Sequence, residues 1–152
     1  AARYYFQNFF GKDFRRDRDQ DGINAMLNYG YTILRSAVIR AIVGAGLHPS
    51  LALHHCNQYN SMRLADDLME PFRPLVDFCV FKLARQGKDD VTPDVKKELV
   101  SLLARPIQTD KGAIEINYLI GNLAVSLARC ALEKTKRLDI PPPVTDMALW
   151  GL

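Results

Sequence analysis

Between Ile23 and Ala45 the apolar residues Ile23, Met26, Leu27, Leu34, Val38, Ala41, Ile42 and Ala45 recur at intervals of three and four. That spacing is one face of an α-helix, and it predicts a long helix over about 23–45. Gly44 and Gly46, with Pro49 beyond them, supply its stop. The same period recurs downstream. Ile116, Leu119, Ile120, Leu123, Leu127, Cys130 and Ala131 mark a last helix over about 112–138. Thr92-Pro93 offers an N-cap and a first-turn proline for a helix to about Ala104. Helix is also expected over 1–10, with Phe6, Phe9 and Phe10 as its buried stripe, and over about 74–85. Gly11–Gly22, GKDFRRDRDQDG, reads as a charged loop. No segment alternates with period two for long enough to predict a strand, and no internal repeat appears. The fold class expected is therefore all-α, with a helical domain over 1–138. A tail, 139–152, is extended around Pro141-Pro142-Pro143.

One hundred and fifty-two residues suffice for one domain with a real core, burying about 68–70% of its unfolded surface. The net charge of +3 permits nucleic-acid binding without indicating it, because a strong binder concentrates its basic residues on one face. Cys56, Cys79 and Cys130 are odd in number and form no C-x-x-C pair. They read as reduced thiols of a cytoplasmic protein rather than a disulfide frame or a zinc site. The apolar stretch from Ser36 to Leu53 is interrupted by Arg40, His48 and Pro49. It is too broken to span a bilayer, so no membrane association is expected.

Chemistry concentrates in Gly46–Pro74, GLHPSLALHHCNQYNSMRLADDLMEPFRP. His55 ends an apolar run, and Glu70 follows among Asp66, Asp67, Arg63 and Arg73. A neutral imidazole and carboxylates are mixed N/O ligands of the kind that bind Mg²⁺ or Mn²⁺ beside phosphates. The bland alternative is that Asp67-x-x-Glu70 is a capping box at a helix start, with His55 a satisfied histidine at a turn. Asp67 lies one turn before Glu70, so a secondary ligand and plain N-capping both stay open. Arg73 is the better candidate for gripping a DNA phosphate. Arg63 is open between that role and an ion pair with the neighbouring acids. Arg35, on the long helix, is a further phosphate candidate. Lys12, Arg15, Arg16 and Arg18 interleave with four aspartates and read as a solvated loop before a DNA contact. Met26, Tyr29, Tyr31 and Trp150 read as packing residues.

The pattern G-L-x-P-x-x-x-x-x-H followed by D-L-M-E-P-F-R-P resembles the C-terminal helical domain of the CRISPR-associated spacer-acquisition integrase family. Asn24–Arg35, NAMLNYGYTILR, is similar to that family's helix ahead of the histidine. Ala1-Ala2-Arg3-Tyr4-Tyr5-Phe6 resembles the segment just after the family's first catalytic glutamate. The resemblance covers about residues 1–80 well, and the rest in helical character alone. It implies a metal-dependent DNA endonuclease and integrase that inserts spacers by transesterification. His55 and Glu70 are then the catalytic metal ligands rather than His54, Asp67 is an auxiliary one, and Arg73, Arg63 and Arg35 bind DNA. It also implies a homodimer assembled around a small companion adaptation protein. The family's first glutamate stands a few residues before the A-A-x-x-Y segment, and an N-terminal β-rich domain precedes it. Neither is in this sequence, so the chain is expected to be a domain fragment that is inactive alone. A non-catalytic helical DNA-binding or interaction module keeping only the fold is the alternative.

Overall fold

A computed structural model describes residues 2–51, 61–109 and 112–141. The element at its centre is the one the apolar period marks most clearly. Helix α1 spans Ala2–Phe10 and α2 spans Ile23–Gly44. Met26, Leu27, Leu34, Val38 and Ile42 along α2 are each no more than 2% exposed, worth about 1.5–3 kcal/mol of transfer free energy apiece. Its stop is a Schellman turn. Gly46 takes φ +79°, the Gly46 N–H reaches the Val43 carbonyl at 3.0 Å, and the Leu47 N–H reaches Ile42 at 3.0 Å. A left-handed residue at that position is where glycine is cheapest.

Helices α3 (Arg63–Met69), α4 (Arg73–Arg85), α5 (Pro93–Ser101) and α6 (Ile116–Ala131) pack around α2. Their buried residues, among them Leu64, Leu75, Val80, Leu99, Ile116 and Ile120, form one apolar core with those of α2. Thr92 caps α5 as its sequence predicts, its hydroxyl accepting from the Val95 N–H at 3.4 Å. Phe9, Phe10 and Phe14 meet Phe78 or Phe81 or one another within 6.4 Å, which docks α1 and the following loop on α4. Among the described residues no helix is long and apolar enough to cross a membrane.

The all-helical class holds, with one exception. Pro106–Thr109 and Gly112–Glu115 form β1 and β2, an antiparallel hairpin that pairs Ile107 with Ile114 and Thr109 with Gly112. Four residues are too few for period two to register, so the sequence assigns them to helix or linker. The last helix accordingly starts at Ile116, not Gly112, and ends at Ala131, short of Leu138. Beyond it the chain turns back, and the Asp139 N–H donates to Ser126 Oγ at 3.0 Å.

Candidate functional site

Glu70, Arg73 and Asp77 are spaced by three and four residues across the junction of α3 and α4. The junction is a single 3₁₀ turn, Glu70–Phe72, in which Pro71 surrenders no intrahelical donor. Phe72 is fully buried and pins the turn to the core, while the Glu70 side chain remains 52% exposed. The sequence reads Asp67-x-x-Glu70 as a helix start, and the structure corrects this. Helix begins at Arg63 with no side-chain cap, so Asp67 lies inside α3 and no capping box forms. Glu70 Oε1 instead accepts from Arg73 Nη1 at 2.8 Å.

Asp77 sits on the buried face of α4, 3% exposed. Tyr5 of α1 donates to its Oδ2 at 2.9 Å, and Tyr31 of α2 donates to its Oδ1. Three helices distant in sequence are therefore joined on one carboxylate. Burial pushes the Asp77 carboxyl above its ordinary range, and the tyrosine hydrogen bonds offset part of that. Burial, then the Asp77 charge and the hydrogen bond to it, hold both hydroxyls well above the usual tyrosine range. The Arg73 guanidinium lies 4.6 Å from the centre of the Tyr31 ring, within cation–π range. Tyr5, Phe6, Tyr31, Glu70, Arg73, Pro74 and Asp77 line an open cavity of about 220 Å³.

The other candidates fall around this cavity unequally. Arg35 is engaged by Asp66 in a two-point pair, Nε to Oδ1 at 2.7 Å and Nη2 to Oδ2 at 3.0 Å, which fastens α2 to α3. Arg63, in the first turn of α3, is half-buried, and its Nε has no hydrogen-bond partner among the described residues. His54, His55 and Trp150 lie outside the described residues. Met26 and Tyr29 pack as expected. Tyr31 does more than pack, as its hydroxyl and ring face show. The sequence does not mark Asp77 as the centre of a network. Its visible signal is a carboxylate set among the apolar residues Leu75, Val76, Cys79 and Val80 of α4.

Among the described residues no three His, Cys, Asp or Glu side chains gather as a metal centre. Glu70, a carboxylate of the kind hard divalent cations take as a ligand, lines the open cavity beside Arg73. Asp67 stands one turn away on α3.

The family model for CRISPR-associated protein Cas1 matches residues 1–102. CRISPR-associated endonuclease Cas1 of Neisseria meningitidis serogroup C (strain 8013) is 38% identical over 144 residues, covering 93% of this chain and 47% of that protein. CRISPR-associated endonuclease Cas1 1 of Francisella tularensis subsp. novicida (strain U112) is 43% identical over 148 residues, covering 91% of this chain and 45% of the relative. The chain thus spans about half the length of these relatives. Among solved structures, a casposase bound to integration product superposes with a TM-score of 0.75 at 25% identity, over 94% of this chain and 50% of that one.

Proposed function

Because the chain belongs to the CRISPR-associated protein Cas1 family, we propose that it is the helical domain of a DNA endonuclease and integrase that adds spacers to a CRISPR array. The proposed reaction is transesterification. The 3′-hydroxyl of a short DNA duplex attacks a phosphodiester at the repeat, a new P–O bond forms, and the broken bond leaves a 3′-hydroxyl on the repeat strand. The casposase neighbour, described as bound to an integration product, supports DNA joining as the reaction class.

The observation that carries the reading is Glu70, an exposed carboxylate on a rigid turn, lining a cavity beside an arginine. Exposed pairs of this kind contribute about 0–1 kcal/mol to folding, so the fold has little need of either partner. In the proposed site His55 and Glu70 would hold Mg²⁺ or Mn²⁺, with Asp67 as an auxiliary ligand. The cation, when bound, neutralises charge on the transferring phosphate and activates the hydroxyl. Arg73 grips a phosphate oxygen as Glu70 turns to the metal, and the Tyr31 ring keeps the freed guanidinium in place. Asp77 fixes that ring through its hydroxyl. Arg63 is proposed as a second phosphate contact on the α3 side. Arg35 acts through Asp66 by holding α3 against α2. A homodimer built on a small companion adaptation protein is part of the same proposal.

Glu70→Ala and His55→Ala, made in the native-length protein, test it. Each should abolish strand transfer in Mn²⁺ with the circular-dichroism spectrum unchanged, while His54→Ala retains far more activity. Transfer close to wild type in either of the first two variants overturns the ligand assignment.

A further inference from the structure

The segment Arg15-Arg16-Asp17-Arg18 is not the loose solvated loop its sequence suggests. Its backbone is clamped by two amides one turn apart on α2. Asn24, 4% exposed, donates from Nδ2 to the Arg15 carbonyl at 3.0 Å and accepts from the Asp17 N–H at 2.9 Å. Asn28 Nδ2 donates to the Arg18 carbonyl at 2.8 Å. The single acid of the segment is engaged locally: Asp17 Oδ1 accepts the Asp19 N–H at 3.0 Å, an Asx turn.

The cations of the segment are left without carboxylates. Arg16 donates to Asn24 Oδ1 at 3.0 Å, Asn28 Oδ1 at 2.6 Å and the Asp17 carbonyl at 2.9 Å, all neutral acceptors. Its guanidinium lies 5.6 Å from the centre of the Tyr31 ring, the ring that Arg73 also covers. Asp77, the acid of that site, spends its oxygens on two tyrosines. Burial works against the Arg16 charge first; Arg18 and Arg73 oppose it as well, and the Asp77 charge supports it. Arg15 and Arg18 are exposed and form no ion pair among the described residues. Immobilising an arginine side chain costs rotamer entropy. Two guanidinium groups converging on one ring add mutual repulsion. An anion bound beside both relieves the repulsion, and at Arg16 it finds the side-chain ordering already done.

We infer that residues 15–18 are a docking surface for DNA phosphates continuous with the Arg73 site, Arg16 gripping the phosphate nearest Tyr31 and Arg15 and Arg18 its neighbours. The inference rests on the DNA-integrase reading above and extends it to a surface that no motif marks.

Its test is the salt dependence of duplex binding by the native-length protein, followed by fluorescence anisotropy of a labelled DNA duplex. Each lost phosphate contact makes the slope of log affinity against log salt shallower by about 0.9. Arg16→Gln is expected to show one such step and Arg16→Lys none. Arg15→Gln/Arg18→Gln should show about two steps, and since neither side chain is tied into the fold this variant reads binding alone. Arg73→Gln is measured beside them. A wild-type slope in Arg15→Gln/Arg18→Gln, with a shallower one in Arg73→Gln, overturns the docking surface and leaves the integrase reading standing. A lower melting temperature with an unchanged slope in Arg16→Gln makes Arg16 a structural peg and overturns its phosphate role. Absence of salt-dependent duplex binding in the wild type overturns the integrase reading itself.

Discussion

Tyr31 donates its hydroxyl to the Asp77 carboxylate across 46 positions of sequence, and this bond sets the distance between α2 and the helix that carries Arg73. Tyr5 completes the arrangement from α1. Asp77→Ala strands two part-buried hydroxyls beside an open cavity; each fully unsatisfied group costs about 1–3 kcal/mol, and water reaching the cavity offsets part of that. The expected loss is about 2–4 kcal/mol, read as a lower denaturant midpoint at constant slope. Asp77→Asn keeps one acceptor and offers one donor, so it should lose less than half as much.

The same two tyrosines predict an alkaline limb. Both hydroxyls are held above the ordinary tyrosine range, by burial first and the Asp77 charge second. The sign comes from linkage: below pH about 10 both folded and unfolded chains keep these protons. Above it only the unfolded chain releases them, so stability falls as pH rises. Denaturant midpoints between pH 9 and 11.5 should decline in the wild type and decline less in Tyr5→Phe/Tyr31→Phe. A component of the folded protein's tyrosinate absorbance that rises only above pH about 10 should be missing in Tyr5→Phe/Tyr31→Phe.

Much of this fold is legible in the sequence because α2 and α6 are long and their apolar residues keep a helical period. Gly46 and Thr92 end or begin helices by local chemistry that sequence displays directly. The hairpin is not legible, since Ile107 and Ile114 gain their meaning from pairing with each other. The candidate site divides in the same way. Glu70 and Arg73 stand out because they share one short segment. Asp77 acquires its role from Tyr5 and Tyr31, 72 and 46 residues away, and nothing local marks those tyrosines as its partners. The pair of Arg35 with Asp66 is hidden for the same reason.

Glu70 should separate stability from activity. Its ion pair with Arg73 is exposed, 52% on the carboxylate side and 36% on the guanidinium side, and such pairs are worth little. Glu70→Gln should therefore change folding stability by less than about 1 kcal/mol while removing strand transfer in the native-length protein. A variant that keeps its activity, or that loses stability in proportion to it, would mean Glu70 serves the helix junction and not the chemistry.

Gly30 precedes Tyr31 at the point where α2 crosses α4 and α5. A β-carbon built there would stand 2.4 Å from Val76 Cγ1 and 3.4 Å from Leu99 Cδ2, and the first of these is a clash that something must relieve. Overpacking of this kind costs about 1–3 kcal/mol, so Gly30→Ala should lower the denaturant midpoint accordingly. Val76→Ala in the same chain removes the offending methyl, and the double variant should recover part of the loss that the two single changes would sum to. If α2 yields instead of Val76, the Tyr31 hydroxyl moves off Asp77 with it. Duplex binding and strand transfer by Gly30→Ala would then fall further than its stability does, and Val76→Ala would restore all three together. Binding and transfer that fall no further than stability in Gly30→Ala would place the strain in the packing of α2 alone, with Tyr31 still seated on its carboxylate.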